Sequence, residues 1–397
     1  MRRSTTAVLL VLGCLLLACC GSSAERRAVD GLVDSWTAGP FYQLPDPIPA
    51  GAPGTVVRSE RLGSAPNGAT AWRVLYHSRD INNADLLTSG VIVVPNGPAP
   101  AGGRTVVSWA HPTTGTAQRC APSVGADPFD LMEGLSDLLA AGYIVAAADY
   151  PGMGAAGPPS YLIGVTTGNA VLDAARAARA IPDAGASQRL LLWGHSQGGH
   201  AALFAGQLAP TYAPELQLAG VAVAAPATDL GDLLTADIVD ISGVTIGSYA
   251  FQAYATAYGA PLASILTPDG VTATPKMAQL CLLGQNAQLH DISGPLVGHY
   301  LAADPTKTQP WADLLAANTP GAAKLGVPLF VAQGLADTLV RPQITAAFVA
   351  KECALGTRVT SKTFPGVDHG GIAFDAIPSL IPWLKAAEAG TPEPPTC

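Results

Sequence analysis

This sequence predicts an α/β fold: a mostly parallel central sheet flanked by helices, with an inserted helical cap. Three observations carry that expectation. Short apolar runs of strand length alternate with amphipathic runs of helix length from about residue 105 onward, the pattern of strands buried on both faces under covering helices. The alternation breaks for about 100 residues after residue 226, too long for a structureless loop in a compact domain. Finally, 49% of the 397 residues are hydrophobic and only 13% are charged, enough for one large core and too apolar for a mostly disordered chain.

The elements follow in order. Three strands are expected at 55–62, 71–77 and 86–94, the first two joined by the turn-rich run Gly63-Ser64-Ala65-Pro66-Asn67-Gly68. Further strands are expected at 105–110, 143–149, 190–194, 221–225, 328–333 and 359–364, with helices at 130–141, 168–180, 197–208, 341–354 and 373–388. The core domain is therefore read as 51–226 plus 324–397, with a cap at 227–323. Within the cap, Phe251, Tyr254 and Tyr258 share one helix face. Packing within the cap explains each ring; as a group above a serine site they suit an apolar acyl ligand.

The N-terminus reads as a processing segment. Arg2 and Arg3 precede an apolar run over 7–18, too short for a typical membrane span. Leu16-Leu17-Ala18-Cys19 resembles a lipoprotein box, so residues 1–18 are expected to be removed and Cys19 to carry lipid; the alternative is simple secretion with cleavage near Ala24. Residues 19–50 then form a tether and an irregular, Pro-rich arm. An exported protein with Cys120, Cys281, Cys353 and Cys397 beyond the leader is expected to hold disulfides, and the residues alone allow three pairings. The net charge of −8, with no basic stripe, argues against nucleic acid as a partner. No cysteine or histidine spacing suggests a metal, no cofactor is called for, and a monomer is expected.

The chemistry gathers around Gly194-His195-Ser196-Gln197-Gly198. An apolar strand precedes it and a helix follows, the context in which G-x-S-x-G presents a nucleophile on a strained turn. A serine in an α/β-hydrolase needs an acid and then a histidine, in that chain order, each in a loop after a strand. Asp337 follows the strand at 328–333 and His369 follows the strand at 359–364, so both occupy the required positions. His195 and His200 flank the serine too closely in sequence to serve as its base, His290 and His299 fall in the cap, and Asp368 is adjacent to the base itself. The oxyanion hole is expected from the Gln197 N–H and from Thr113, since Pro112 lacks an N–H. Gly152-Met153-Gly154-Ala155-Ala156-Gly157 matches a dinucleotide fingerprint literally, but Pro158-Pro159 follow at once and Pro159 disfavours the helical geometry that such a site requires. Asp149-Tyr150 is read as ordering that glycine-rich loop.

Four segments together resemble a known family: Gly194-His195-Ser196-Gln197-Gly198-Gly199, Ala148-Asp149-Tyr150-Pro151-Gly152, Cys120-Ala121-Pro122-Ser123 and Gly334-Leu335-Ala336-Asp337-Thr338-Leu339-Val340. They look like those of the secretory lipases of the α/β-hydrolase superfamily, the group of Candida-type lipase A and many actinobacterial secreted lipases. The resemblance runs from about Gly39 to Cys397. It implies hydrolysis of acylglycerols or other hydrophobic carboxylic esters, a helical lid before the strand of the acid, and disulfides Cys120–Cys281 and Cys353–Cys397. Relatives commonly read H-G-T where this chain has His111-Pro112-Thr113, and a lipoprotein box is not general among them. A peptidase or acyltransferase on the same triad, and a noncatalytic surface binding protein, are the competing expectations.

Overall fold

The computed structural model describes residues 38–125, 127–391 and 394–397; the leader, Cys19 and the first part of the tether lie outside the described residues. The strands are β1 (Val56–Leu62), β2 (Ala69–Arg79), β3 (Asp85–Pro95), β4 (Arg104–Ala110), β5 (Ile144–Ala148), β6 (Ala186–His195), β7 (Gln217–Ala224), β8 (Leu329–Gly334) and β9 (Val359–Phe364). They build one nine-stranded sheet in the order β1-β2-β3-β5-β4-β6-β7-β8-β9. β1, β2 and β3 form an antiparallel meander, β5 joins β3 antiparallel, and every pair from β5 across to β9 is parallel.

The central strands are apolar throughout because both faces are covered. Val106, Leu190, Leu192, Val221, Val223, Leu329 and Val331 point to one side, where helices Gly164–Ala178 and Gln197–Tyr212 pack with alanine-rich faces. Val107, Trp109, Leu191, Trp193, Ala222 and Phe330 point to the other, against helices Leu135–Ala140 and Ile377–Glu388. This is the period-two alternation of a strand with no solvent face.

Two of the expected helices are interrupted, and those expected at 168–180 and 197–208 span Gly164–Ala178 and Gln197–Tyr212. The run 130–141 is helical only at Leu135–Ala140, because Gly134 adopts a left-handed conformation (φ 79°) and ends the preceding turns. Those turns carry Glu133 into the core. The run 373–388 is divided into Ile372–Asp375 and Ile377–Glu388, with Pro378 in the first turn of the second helix. Where the arm is described, Pro40–Tyr42 forms a 3₁₀ turn that buries Phe41 and Tyr42 against Leu75, Leu87 and Ala155.

Between β7 and β8 stand helices Leu230–Asp237, Ile241–Tyr258, Pro268–Met277, Asn286–Ser293 and Trp311–Ala317. They share a core of their own, in which Phe251 and Tyr254 pack on Trp311 with ring centroids 5.3 and 6.4 Å away. The disulfide Cys120–Cys281 ties this insertion to the loop after β4, and Cys353–Cys397 pins the C-terminal tail. Among the described residues, no helix is long and apolar enough to cross a membrane.

Candidate active site

Ser196 stands between the end of β6 and the start of helix Gln197–Tyr212, with φ 57° and ψ −118°. A non-glycine residue is strained there, and the surroundings hold it in place. Its N–H donates to the Ala224 carbonyl at 3.0 Å, and its carbonyl accepts from the His200 and Ala227 N–H groups, each at 3.1 Å. The turn demands glycine on both sides for lack of space: a Cβ on Gly194 would lie 2.2 Å from the Gly198 carbonyl oxygen, and one on Gly198 would lie 1.8 Å from that of Ala110.

The ends of β8 and β9 bring two further groups to this turn. His369 Nε2 lies 2.9 Å from Ser196 Oγ, and its Nδ1 lies 2.7 Å from Asp337 Oδ2. A carboxylate can only accept, so Nδ1 carries the proton and Nε2 is left to accept from the serine hydroxyl. Asp337 is buried, and its Oδ1 accepts from the Leu339 and Val340 N–H groups, each at 2.9 Å. Gln333, at the end of β8, donates to Asp337 Oδ2 at 3.3 Å and to the Val340 carbonyl at 3.0 Å, while its Oε1 accepts from Thr345 at 2.6 Å. Sequence reasoning overlooked Gln333, because a glutamine in an apolar strand shows no purpose until the loop beyond it is folded back.

Gln197 opens the helix, so its N–H lacks a partner within the helix. Thr113 borders the same cavity as Ser196 and Gln197, and its hydroxyl is 2.7 Å from that of Tyr161. The loop carrying Thr113 is held from beneath. The His111 ring stacks on Tyr150 at 4.2 Å, its Nδ1 lies 2.6 Å from the Pro112 carbonyl, and the Tyr150 hydroxyl donates to the His111 carbonyl at 3.0 Å. Burial pulls the His111 pKa down to about 4, so the ring is neutral in ordinary buffers.

The other candidates lie elsewhere. His195 turns away from Ser196 to Glu133, and His200 Nε2 donates to the Asn318 carbonyl at 2.7 Å. His290 is exposed on helix Asn286–Ser293 and His299 in a turn of the same insertion, and Asp368 accepts from the Gly371 N–H at 2.8 Å in a local turn. Asp149 is buried, where desolvation raises its carboxyl pKa; its Oδ2 accepts from the hydroxyls of Ser89 and Ser123, and its Oδ1 from the Ser123 N–H at 3.0 Å. Its side chain therefore ties the Ser123 segment to Ser89 on β3, not to the glycine-rich run at 152–157 as expected. Residues 152–157 form turns, and the next helix begins at Gly164. Among the described residues, no cluster of His, Cys, Asp or Glu is placed to hold a metal.

A narrow cavity leads from Ser196 under the inserted helices, walled by Leu230, Leu234, Ile238, Ile246, Phe251 and Leu315. Gly247 faces it: the nearest neighbours of a Cβ there would be the side chains of Ile238, Phe251 and Leu234, at 3.2 to 3.8 Å. Asp237 also lines it, held by Arg341, whose guanidinium donates to the Ala236 carbonyl at 2.7 Å and lies 3.4 Å from Asp237 Oδ1. Burial is the main reason that the Asp237 pKa is pushed up to about 7; Arg341 opposes the shift, and Asp240 and Asp337 add to it. The folded chain thus keeps a proton that the unfolded chain has released from about pH 4 to about 7, so this group costs stability increasingly as pH rises through that window. Asp237→Asn is expected to gain in melting temperature relative to the parent on moving from pH 5 to pH 8. An offset between the two proteins that stays constant across that range would contradict the assignment.

A mostly parallel sheet with a serine on a strained strand-to-helix turn, and a helical insertion after β7, is the α/β-hydrolase fold in its lipase and esterase form. The model of the family described as secretory lipase matches residues 129–394, and the chain belongs to that family. It is 24% identical over 381 residues to a lipase A of Moesziomyces aphidis, covering 89% of this chain and 80% of that one. It is also 31% identical over 209 residues to a protein of Mycobacterium tuberculosis described as a probable inactive lipase, covering 48% of this chain and 46% of that one. Among solved structures it resembles Candida antarctica lipase A in its closed state, with a TM-score of 0.74 at 22% identity over 90% of this chain and 87% of that one. The chain is a carboxylic ester hydrolase.

Proposed function

We propose that this protein is an exported serine hydrolase of hydrophobic esters that works through an acyl-enzyme. The observation that carries the reading is the continuous line from Ser196 Oγ through His369 to the buried Asp337, with hydrogen-bond distances of 2.9 and 2.7 Å. Ser196 attacks the ester carbonyl while His369 Nε2 takes its proton. Asp337 holds the imidazole in the right tautomer and stabilises the imidazolium. The Gln197 N–H and Thr113 receive the developing oxyanion. His369 returns the proton to the leaving alkoxide, then activates the water that releases the acid.

The apolar walls beneath the inserted helices favour an acyl chain as the buried half of the substrate. The insertion at 227–323 is read as the lid over that chain. Acyl transfer and amide hydrolysis are open to the same triad, and parallel assays with tributyrin, an amide and an acceptor alcohol rank the three. Gly247→Phe should cost turnover of long-chain p-nitrophenyl esters at least about tenfold more than that of the acetate, because the ring fills the acyl cavity and leaves Ser196 open. Equal losses for short and long chains would place the acyl chain elsewhere.

Labelling by a fluorophosphonate tests the nucleophile: a working triad labels at Ser196, and an unlabelled chain takes Ser196 out of the mechanism. Export follows from the segment 1–18, and lipid attachment at Cys19 from the box at 16–19. Incorporation of labelled fatty acid into the parent, and its loss in Cys19→Ala, checks the anchor. The enzyme is proposed to act as a monomer, testable by sedimentation.

A further inference from the structure

One buried carboxylate has no part in the mechanism so far. Glu133 is 4% exposed, and at 3.1 Å from its Oε1 lies His195 Nδ1. Its Oε2 accepts the Trp109 indole N–H at 2.8 Å, and its backbone carbonyl accepts that of Trp193 at 3.0 Å. Trp109 and Trp193 are register partners on β4 and β6, so two adjacent strands direct their indoles at this one residue. A carboxyl is costly to bury in this way unless its hydrogen bonds are made, and both of its oxygens are met here, by His195 and Trp109.

His195 reaches from this pair toward the site. Its ring lies 4.9 Å from that of His369, tilted by 41°, and its Nε2 is buried with no hydrogen-bond partner. Because a Glu133 carboxylate can only accept, the proton of a neutral His195 resides on Nδ1. His195 thus packs beside the base, whose two nitrogens are otherwise engaged: Ser196 is at Nε2 and Asp337 at Nδ1. Other charges nearby are Asp368, next to His369 in the chain, and Asp237 on the inserted helices, which is paired with Arg341 and feels the charge of Asp337.

We propose that Glu133 and His195 form a positioning pair that fixes the His369 ring and stabilises its imidazolium when the proton of Ser196 arrives. The proposal rests on the Ser196–His369–Asp337 reading given above. No new bond is made: Glu133 and His195 stay hydrogen-bonded to each other throughout, and His369 senses the carboxylate through that hydrogen bond.

The test compares Glu133→Gln and His195→Phe, which keep the shapes of the side chains, with the parent. Each is expected to lower kcat/KM about tenfold per fluorophosphonate-titrated site with KM little changed, and to move the acid limb of the kcat/KM profile to lower pH. The double variant is expected to lose no more than the worse single one, since either change breaks the same link. A purely structural role would lower Tm and the fraction of titratable sites and leave the acid limb in place. That outcome overturns the proposal, as does a limb that moves to higher pH, the mark of a cationic His195 repelling the base. If His195→Phe does not fold, Glu133→Gln decides alone. Should the parent itself fail to label, or Ser196→Ala remain active, the triad reading fails; variants that match an active, labelled parent defeat only the present inference.

Discussion

Ser196→Ala is expected to lower kcat on a p-nitrophenyl ester by about 10⁴-fold or more and to abolish fluorophosphonate labelling, with Tm close to the parent's. On the proposed mechanism the loss is large, because His369 and Asp337 would act only through the serine oxygen, which lies 2.9 Å from His369 Nε2. The structural cost is small. Alanine keeps the Cβ at the φ 57° position, so the strain of the turn is unchanged, and the backbone bonds to Ala224, Ala227 and His200 do not involve the hydroxyl. One hydrogen bond is lost, worth about 1 kcal/mol. Near-normal turnover in this variant would remove Ser196 from the mechanism.

The largest effect on stability is expected from Cys120→Ser with Cys281→Ser. The bond spans a sequence separation of 161, for which chain entropy alone assigns about 5 kcal/mol. Tm should fall by roughly 5–10 °C in a chain of this size. The site should suffer as well, because the disulfide belongs to a seam between the inserted helices and the loop that carries Thr113. In that seam the Leu282 N–H donates to the Thr114 carbonyl at 2.9 Å, and the Thr116 hydroxyl donates to the Ala278 carbonyl at 2.8 Å. Gly115 fits against Cys120 with a positive φ (136°), where a Cβ would sit 2.7 Å from the sulfur. Opening the seam frees Thr113, so kcat should drop with Tm. Opening Cys353–Cys397 releases only the tail, and kcat should survive it. Calorimetry and ester turnover on the two double variants provide the comparison; equal kcat losses would show that the seam does not position Thr113.

Much of this site was legible in the chain because its chemistry is local. Gly194 to Gly198 announces a tight turn between an apolar strand and a helix, and that turn is where the structure places Ser196. Asp337 and His369 were recognisable as residues that follow buried strands, and parallel strands bring such loops to one edge of a sheet. Apolar runs, glycines and prolines act over a few residues, and a sequence displays that range directly. What lay out of reach depends on register and burial. Nothing in residues 130–141 reveals that Gly134 turns left-handed and sends Glu133 beneath His195. Gln333 becomes a prop for Asp337 only once the loop after β8 closes on it. Asp237 becomes a group titrating near neutrality only when the helix ending there is laid against Arg341 and the cavity. By itself the sequence determined the class of fold, the strained serine turn and the chain order of serine, acid and histidine. The tertiary structure alone decided what surrounds them, because desolvation and hydrogen-bond partners are set by residues tens to hundreds of positions apart.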